Sequence, residues 1–197
     1  MKKMFKVMLL VLCAALLVAG SVLGTLAYLK MQTSTVTNTF TVGKVAITLQ
    51  EYEINADGSK SGTTTTAGVS NIKLIPGREI NKHPFITVAQ GSEKCYLFVK
   101  IENNIPTAYG QTNLDTNKWE CIDTVNNVYA YVGVASGIVD ASTSAQVVDV
   151  FTKFICSNTV EQYTTTANLT INVTAYAVQS EGFANAQVAW AASGFGA

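Results

Sequence analysis

Short runs of β-branched and aromatic residues, separated by turn signals, occupy most of the chain after residue 34 and constrain its fold most strongly. Residues 35–42 alternate apolar and polar side chains with period two, the pattern of a half-buried strand. The same criteria predict later strands, with no helical periodicity between them. These strands are expected at residues 45–49, 69–75, 85–89, 95–101, 118–122, 128–134, 146–155 and 169–178.

This order of elements predicts an all-β protein, an antiparallel sandwich or barrel, of which the β-sandwich is preferred. The connection over residues 103–117 is long enough for a Greek-key or jelly-roll crossover. The threonine-rich residues 59–68 are predicted to form a polar loop. A turn is expected at residues 90–93. Only the alanine-rich residues 183–192 indicate a helix, a short one near the C-terminus.

The first residues have the layout of a secretory signal peptide. Three lysines within the first six residues precede a continuous apolar run over residues 7–19, and small residues follow. Cleavage is predicted between Ala27 and Tyr28. The alternative is a retained membrane anchor, since residues 7–29 are long enough to cross a bilayer.

The predicted organisation is therefore a signal peptide over residues 1–27, an N-terminal strand segment over residues 28–42 and a β-sandwich domain over residues 43–197. The N-terminal strand is a possible donor strand. In this arrangement the membrane is contacted only through the signal segment, before cleavage.

Composition excludes several classes of protein. The 197 residues are 48% hydrophobic and 13% charged, which is too apolar for an intrinsically disordered chain. The 13 basic and 13 acidic residues are balanced, which argues against nucleic acid as a partner. Removing residues 1–27 leaves Cys95, Cys121 and Cys156, an odd number, so at least one thiol has no partner within the molecule. We expect buried thiols, and the sequence leaves a single disulfide open.

The residues give little support to catalysis or to a bound cofactor. His83 is the only histidine, and it precedes Pro84, which favours an extended backbone and predicts a surface turn residue. The chain contains neither a zinc-protease HExxH motif nor a GxSxG nucleophile motif. We therefore predict no catalytic residue, no metal ligand and no cofactor.

Residues 113–117 place oxygen-bearing side chains at alternate positions, as the first half of a calcium loop does. Lys118 and Thr124 stand where such a loop needs glycine and glutamate, so a plain polar loop is favoured. Asn168 and Asn172 each begin a glycosylation-type triplet and are predicted to face outward from a strand. Several aromatic residues could line a sugar-binding face, although core packing is the preferred interpretation: Tyr96, Phe98, Tyr109, Trp119, Tyr129 and Tyr131.

The segment at residues 32–41 is rich in threonine and has neither proline nor charge. Such a segment can pair with any open sheet edge, its own or that of a neighbouring molecule. A head-to-tail contact of this kind does not close on itself and gives filaments.

Several blocks of the sequence resemble the TasA/camelysin family, exported proteins of Gram-positive bacteria that a dedicated signal peptidase releases. The resemblance covers the signal segment and most of the predicted strands. It is carried by residues 24–29, 36–49, 74–78 with Pro84, 93–100 and 175–183.

The resemblance implies a secreted jelly-roll protein of the cell surface or biofilm matrix, with itself and other matrix proteins as partners. It also implies fibre assembly through an N-terminal strand donated to the next subunit. Residues 28–42 would be the donor, with Val36, Asn38, Phe40 and Val42 as its assembly face. The alternatives are a camelysin-like cell-surface metalloprotease, for which the chain offers only His83, and a carbohydrate-binding β-sandwich.

Overall fold

The computed structural model describes residues 2–29, 43–55, 58–69, 73–159 and 169–195. The chain divides into two units, Met1–Thr41 and Val42–Ala197. The predicted strand at residues 35–42, with the assembly face Val36, Asn38, Phe40 and Val42, lies outside the described residues.

The first unit contains one helix, α1 (Lys2–Leu29), and Ala27 and Tyr28 fall in its last turn. Its described side chains, over residues 2–19, are exposed. In the part of the chain that the structure describes, no helix combines the length and the apolar character needed to cross a membrane.

The second unit is built almost entirely of strands, as the period-two patterns predict. A short helix, α2, follows the last strand, and two single 3₁₀ turns lie at Thr107–Tyr109 and Ala135–Gly137. The strands are β1 (Ile47–Ile54), β2 (Lys60–Thr65), β3 (Glu79–Asn81), β4 (Pro84–Val88), β5 (Cys95–Asn103), β6 (Gly110–Thr112), β7 (Trp119–Asp123), β8 (Val128–Tyr131), β9 (Ile138–Val139), β10 (Gln146–Asp149), β11 (Lys153–Cys156) and β12 (Ile171–Gln179).

These strands form three antiparallel sheets. Sheet I has the order β10-β4-β1-β2, and sheet II has the order β12-β5-β8-β7, with β9 pairing with the start of β5. Sheet III is the smaller group β3-β11-β6. Every strand pair is antiparallel, so the predicted all-β antiparallel class is confirmed.

Sheets I and II pack face to face around the main core. Ile86 and Val88 of β4 and Leu97 and Val99 of β5 are fully buried in this layer. Burying each such side chain contributes about 1.5–3 kcal/mol. At one side the layers are also tied by a hydrogen bond, in which the indole nitrogen of Trp119 donates to the Asp149 carbonyl at 3.1 Å.

The outer face of sheet II is covered by α2 (Ala186–Ser193). Trp190 of this helix lies 5.1 Å from Phe98, ring centre to ring centre. The helix starts where the Asn185 side chain accepts a hydrogen bond from the Val188 amide, and it ends at Gly194, whose φ of 75° is left-handed. The predicted C-terminal helix is confirmed. Strand β5, which lies between the main core and α2, is buried on both faces over most of its length.

Other predictions about the strands are wrong. Residues 59–68 are not all loop, because Lys60–Thr65 pairs with β1 as an exposed edge strand without apolar alternation. No strand forms at residues 69 and 73–75, the described part of the predicted strand 69–75. Residues 146–155 split into β10 and β11 because Val150 and Phe151 turn into the core, and the two strands join different sheets.

Candidate functional site: an open seam between two sheets

Among the strands that the structure describes, the N-terminal half of β1 has a partner on only one side. The carbonyls of Lys44 and Ala46 accept hydrogen bonds from the turn that follows β4, and the Tyr52 amide donates to the His83 carbonyl. Backbone groups alternate in direction along a strand, so those of the odd-numbered residues 45, 47 and 49 point the other way. On that side β2 pairs only from Glu51 onward, and no described strand lies beside residues 45–50.

Strand β12 is a long open edge of sheet II. All nine of its residues pair with β5, and its other edge has no partner strand among the described residues. Ile171–Gln179 carries no charge, no proline and no glycine. Natural proteins usually protect such an edge with these residues, so an edge without them is competent to pair with a further strand.

Strands β1 and β12 lie in contact, and we name the edges of β1 and β12 described above, together with their inward-facing side chains, the open seam. Its walls are inward-facing side chains that pack against the main core and remain only half-buried, whereas the inward residues Leu97 and Val99 of the neighbouring β5 are fully buried. The walls therefore offer apolar surface that an additional strand would cover. They consist of Val45, Ile47 and Leu49 on the β1 side and Ile171, Val173, Ala175 and Ala177 on the β12 side.

A buried ion pair closes one end of the open seam. Lys82 Nζ lies 2.9 Å from Glu51 Oε1 and 3.0 Å from Glu51 Oε2, and the two side chains are 13% and 7% exposed. The Val69 amide donates to Glu51 Oε2 at 3.2 Å. These contacts fix the loop at residues 66–69 against the end of the seam.

At the other end of the open seam lie Gly43 and Lys44, which precede β1. The Lys44 carbonyl accepts from the Glu93 amide at 3.1 Å, and a Cβ added to Gly43 would lie 2.8 Å from Glu93 Cγ.

His83 is not the surface turn residue that the sequence predicts. Its side chain is 14% exposed, its Nε2 lies 2.8 Å from Asp149 Oδ1, and its ring centre lies 5.1 Å from that of Tyr52. The sequence prediction failed because Asp149 belongs to β10, which reaches His83 only through the pairing of β10 with β4.

Residues 113–117 form a polar loop, as predicted, and two of their side-chain oxygen atoms accept hydrogen bonds from backbone amides. Asn113 Oδ1 accepts from the amides of Thr152 and Lys153, and Asp115 Oδ1 accepts from the Asn117 amide. Among the residues that the structure covers, no three His, Cys, Asp or Glu side chains are arranged to hold a metal ion.

The three cysteines of the second unit are free thiols. Cys95 and Cys156 are buried as predicted, and burial raises the pKa of the Cys95 thiol to about 11. Cys121 is exposed, which corrects the expectation of buried thiols throughout. It lies on β7, the edge strand of sheet II.

The six aromatic residues considered for a sugar-binding face are buried or half-buried. Tyr96, Phe98 and Trp119 are buried, as predicted, and Tyr109, Tyr129 and Tyr131 are half-buried. Asn172 and Thr174 of one glycosylation-type triplet face outward, as predicted, and Asn168 lies outside the described residues.

Beside the turn that joins β4 to β5 lies a shallow polar depression lined by Ser92, Glu93, Lys94, Ser142, Gln179, Ser180 and Glu181. Lys94 Nζ lies 3.3 Å from Asp140 Oδ2 at its rim. Hydrogen bonds from Ser142, with a further contribution from Lys94, lower the pKa of Asp140 to about 2. These groups satisfy one another and stabilise the loop.

The chain matches no known family model, no curated protein sequence and no solved structure.

Proposed function

We propose that this protein is a secreted structural component of the cell surface or biofilm matrix. It assembles into fibres when residues 28–42 of one copy enter the open seam of the next. The observation that carries the proposal is the seam itself, in which one edge of β1 at residues 45–50 and one edge of β12 have no partner strand among the described residues and are lined by half-buried apolar side chains. The resemblance to the TasA/camelysin family supports the same function.

The composition of the donor segment suits the seam. Val36, Phe40 and Val42 share one face of a period-two strand with Asn38, and the alternate residues 37, 39 and 41 on the other face are threonines. Such a strand presents an apolar face to the walls and a polar face to water. Pairing would also supply hydrogen-bond partners to the backbone groups of residues 45, 47 and 49, which point away from β4. Each apolar side chain of the donor would contribute about 1.5–3 kcal/mol on full burial.

One donor and one acceptor on each copy make the contact head-to-tail. A heterologous contact that does not close generates an open filament. We propose that cleavage between Ala27 and Tyr28 releases the donor segment at a new N-terminus, and that the sandwich has jelly-roll connectivity. A retained N-terminal anchor would instead tie the first subunit to the membrane.

Electron microscopy of residues 28–197 and residues 43–197 tests this function. We expect fibres from the longer chain and only monomers from the shorter one, which retains strands β1 to β12 and α2. Fibres from residues 43–197 would overturn strand donation. Monomers from both chains under all conditions would overturn the fibre-forming role.

A matched pair of substitutions on β12 tests whether the open seam is the site that accepts the donated strand. Ala175→Arg places a charge on the inward wall of the seam, whereas Thr174→Arg places the same charge on the exposed outer face of the same strand. We expect only Ala175→Arg to abolish fibres, with both variants retaining a cooperative thermal transition. Equal effects of the two substitutions would contradict the seam as the acceptor.

A further inference from the structure

The open seam has a defined length along β1. Thr65 of β2 already pairs with Glu51, and the loop that follows is held to the Glu51 carboxylate through Val69. An incoming strand can therefore pair only with residues 45–50, a length of about 20 Å.

At the closed end, the inner side of the seam carries the polar side chains of Glu51 and Lys82. The Glu51 carboxylate accepts two hydrogen bonds from Lys82 and one from Val69. A carboxylate has about four accepting positions, so a further donor can be accommodated. The inward residues that precede Glu51 on β1 are all apolar.

Within residues 36–42, the face of the donor segment that would enter the seam contains one polar residue. Asn38 lies between Val36 and Phe40 on the period-two face, and Val42 completes it. A side-chain amide buried without a partner is costly, so its position limits how the strand can align.

We infer that the donated strand runs antiparallel to β1, with residues 37–42 opposite residues 45–50 and Asn38 beside the Glu51–Lys82 pair. This inference rests on the strand donation proposed above. In this register Phe40 lies opposite Ile47, Val42 lies opposite Val45, and Asn38 lies opposite Leu49, diagonally adjacent to Glu51.

Other alignments are less favourable for identifiable reasons. A slip of two residues toward the closed end places Asn38 opposite Glu51, where Thr65 already pairs. A slip of two in the other direction places the Asn38 amide opposite Ile47, among apolar side chains. A slip of one residue turns the threonines inward. A parallel strand with Asn38 at Leu49 would put Phe40 at the closed end.

Disulfide trapping between two chains of different length measures the register. The donor chain is residues 28–197 with Phe40→Cys, and the acceptor is residues 43–197, which has no donor segment, with Ile47→Cys. Both carry Cys121→Ser, which removes the exposed native thiol. Directly opposed Cα atoms lie about 5.5 Å apart, and atoms displaced by two residues lie about 9 Å apart, beyond the reach of a disulfide.

We expect the yield of the disulfide-linked pair to be at least about tenfold higher with the Ile47→Cys acceptor than with the Leu49→Cys or Val45→Cys acceptor. The reason is that only the directly opposed Cα atoms lie within the distance that a disulfide can span. Preference for either of the other two acceptors would overturn the register. No trapped pair with any acceptor, together with no fibres, would instead refute the strand donation on which the inference depends.

The Glu51→Leu/Lys82→Met double substitution tests the role of the ion pair. Replacing a buried ion pair with apolar residues of similar volume usually preserves folding. We expect the preference for the Ile47→Cys acceptor to fall below about threefold. The double substitution removes the polar groups beside Asn38 and also the carboxylate that holds the loop through the Val69 amide. The control is Glu79→Leu/Lys153→Met, which removes an exposed ion pair on sheet III and should leave the preference unchanged. An unchanged preference in the Glu51/Lys82 variant would overturn the role of that pair.

Discussion

Lys82→Met should destabilise the domain strongly, because it leaves the Glu51 carboxylate buried without its cation. The Glu51 side chain is 7% exposed, and Lys82 makes contacts of 2.9 and 3.0 Å to its two oxygens. Removing one partner of a buried pair costs about 3–5 kcal/mol. Lys82 retains some contact with water at 13% exposure, so we expect a loss near the lower value, about 3 kcal/mol.

The assay is urea unfolding of residues 43–197, followed by thermal unfolding. A loss of about 3 kcal/mol corresponds to a fall in Tm of about 6–12 °C for a domain of this size. The double variant Glu51→Leu/Lys82→Met should lie within about 1 kcal/mol of the unsubstituted domain, because no charge is left buried. A loss below about 1 kcal/mol for Lys82→Met would refute this reasoning, as would a double variant as unstable as the single one.

Three further predictions concern the thiols, the helix and the acid response. At pH 8 a thiol reagent should modify the exposed Cys121 in the folded domain. Cys95 should react only after unfolding, because burial raises the pKa of its thiol to about 11. A Cys95 adduct on the native protein would contradict this prediction. Trp190→Ala should cost about 3–5 kcal/mol in urea unfolding because the indole packs on Phe98, and a cost below about 1 kcal/mol would argue against that packing. The folded-state pKa of Asp140 is lowered from 3.8 to about 2, so its stabilising contribution is present above pH 3.8 and is lost as the pH falls to about 2. Asp140→Asn should therefore reduce the fall in Tm between pH 4 and pH 2, and an unchanged fall would contradict this contribution.

The strands with clear apolar alternation could be predicted from the sequence. Strands β4, β5, β7, β8 and β12 each fall where β-branched and aromatic residues recur, because those residues fit a pleated surface that is at least half-buried. The short helix α2 was also predictable from its composition. Strand β2 was missed because Lys60–Thr65 has no apolar face and is held in place by its pairing with β1.

The candidate site could be predicted only in part. The donor segment is a local pattern and can be read from residues 28–42 alone. The open seam depends on which strands become neighbours, since β1 and β12 lie at opposite ends of the domain sequence. The Glu51–Lys82 pair is likewise a long-range contact between residues 31 apart. No periodicity in the sequence reports such contacts.

Binding of a peptide with the sequence of residues 28–42 to the domain of residues 43–197 tests the central claim most directly. Fluorescence anisotropy of the labelled peptide measures it without requiring fibres to form. We predict saturable binding with one peptide per domain and a Kd of about 10 μM or tighter, abolished by Ala175→Arg and retained with Thr174→Arg. Absence of saturable binding up to about 1 mM domain would contradict the open seam as an acceptor for this strand.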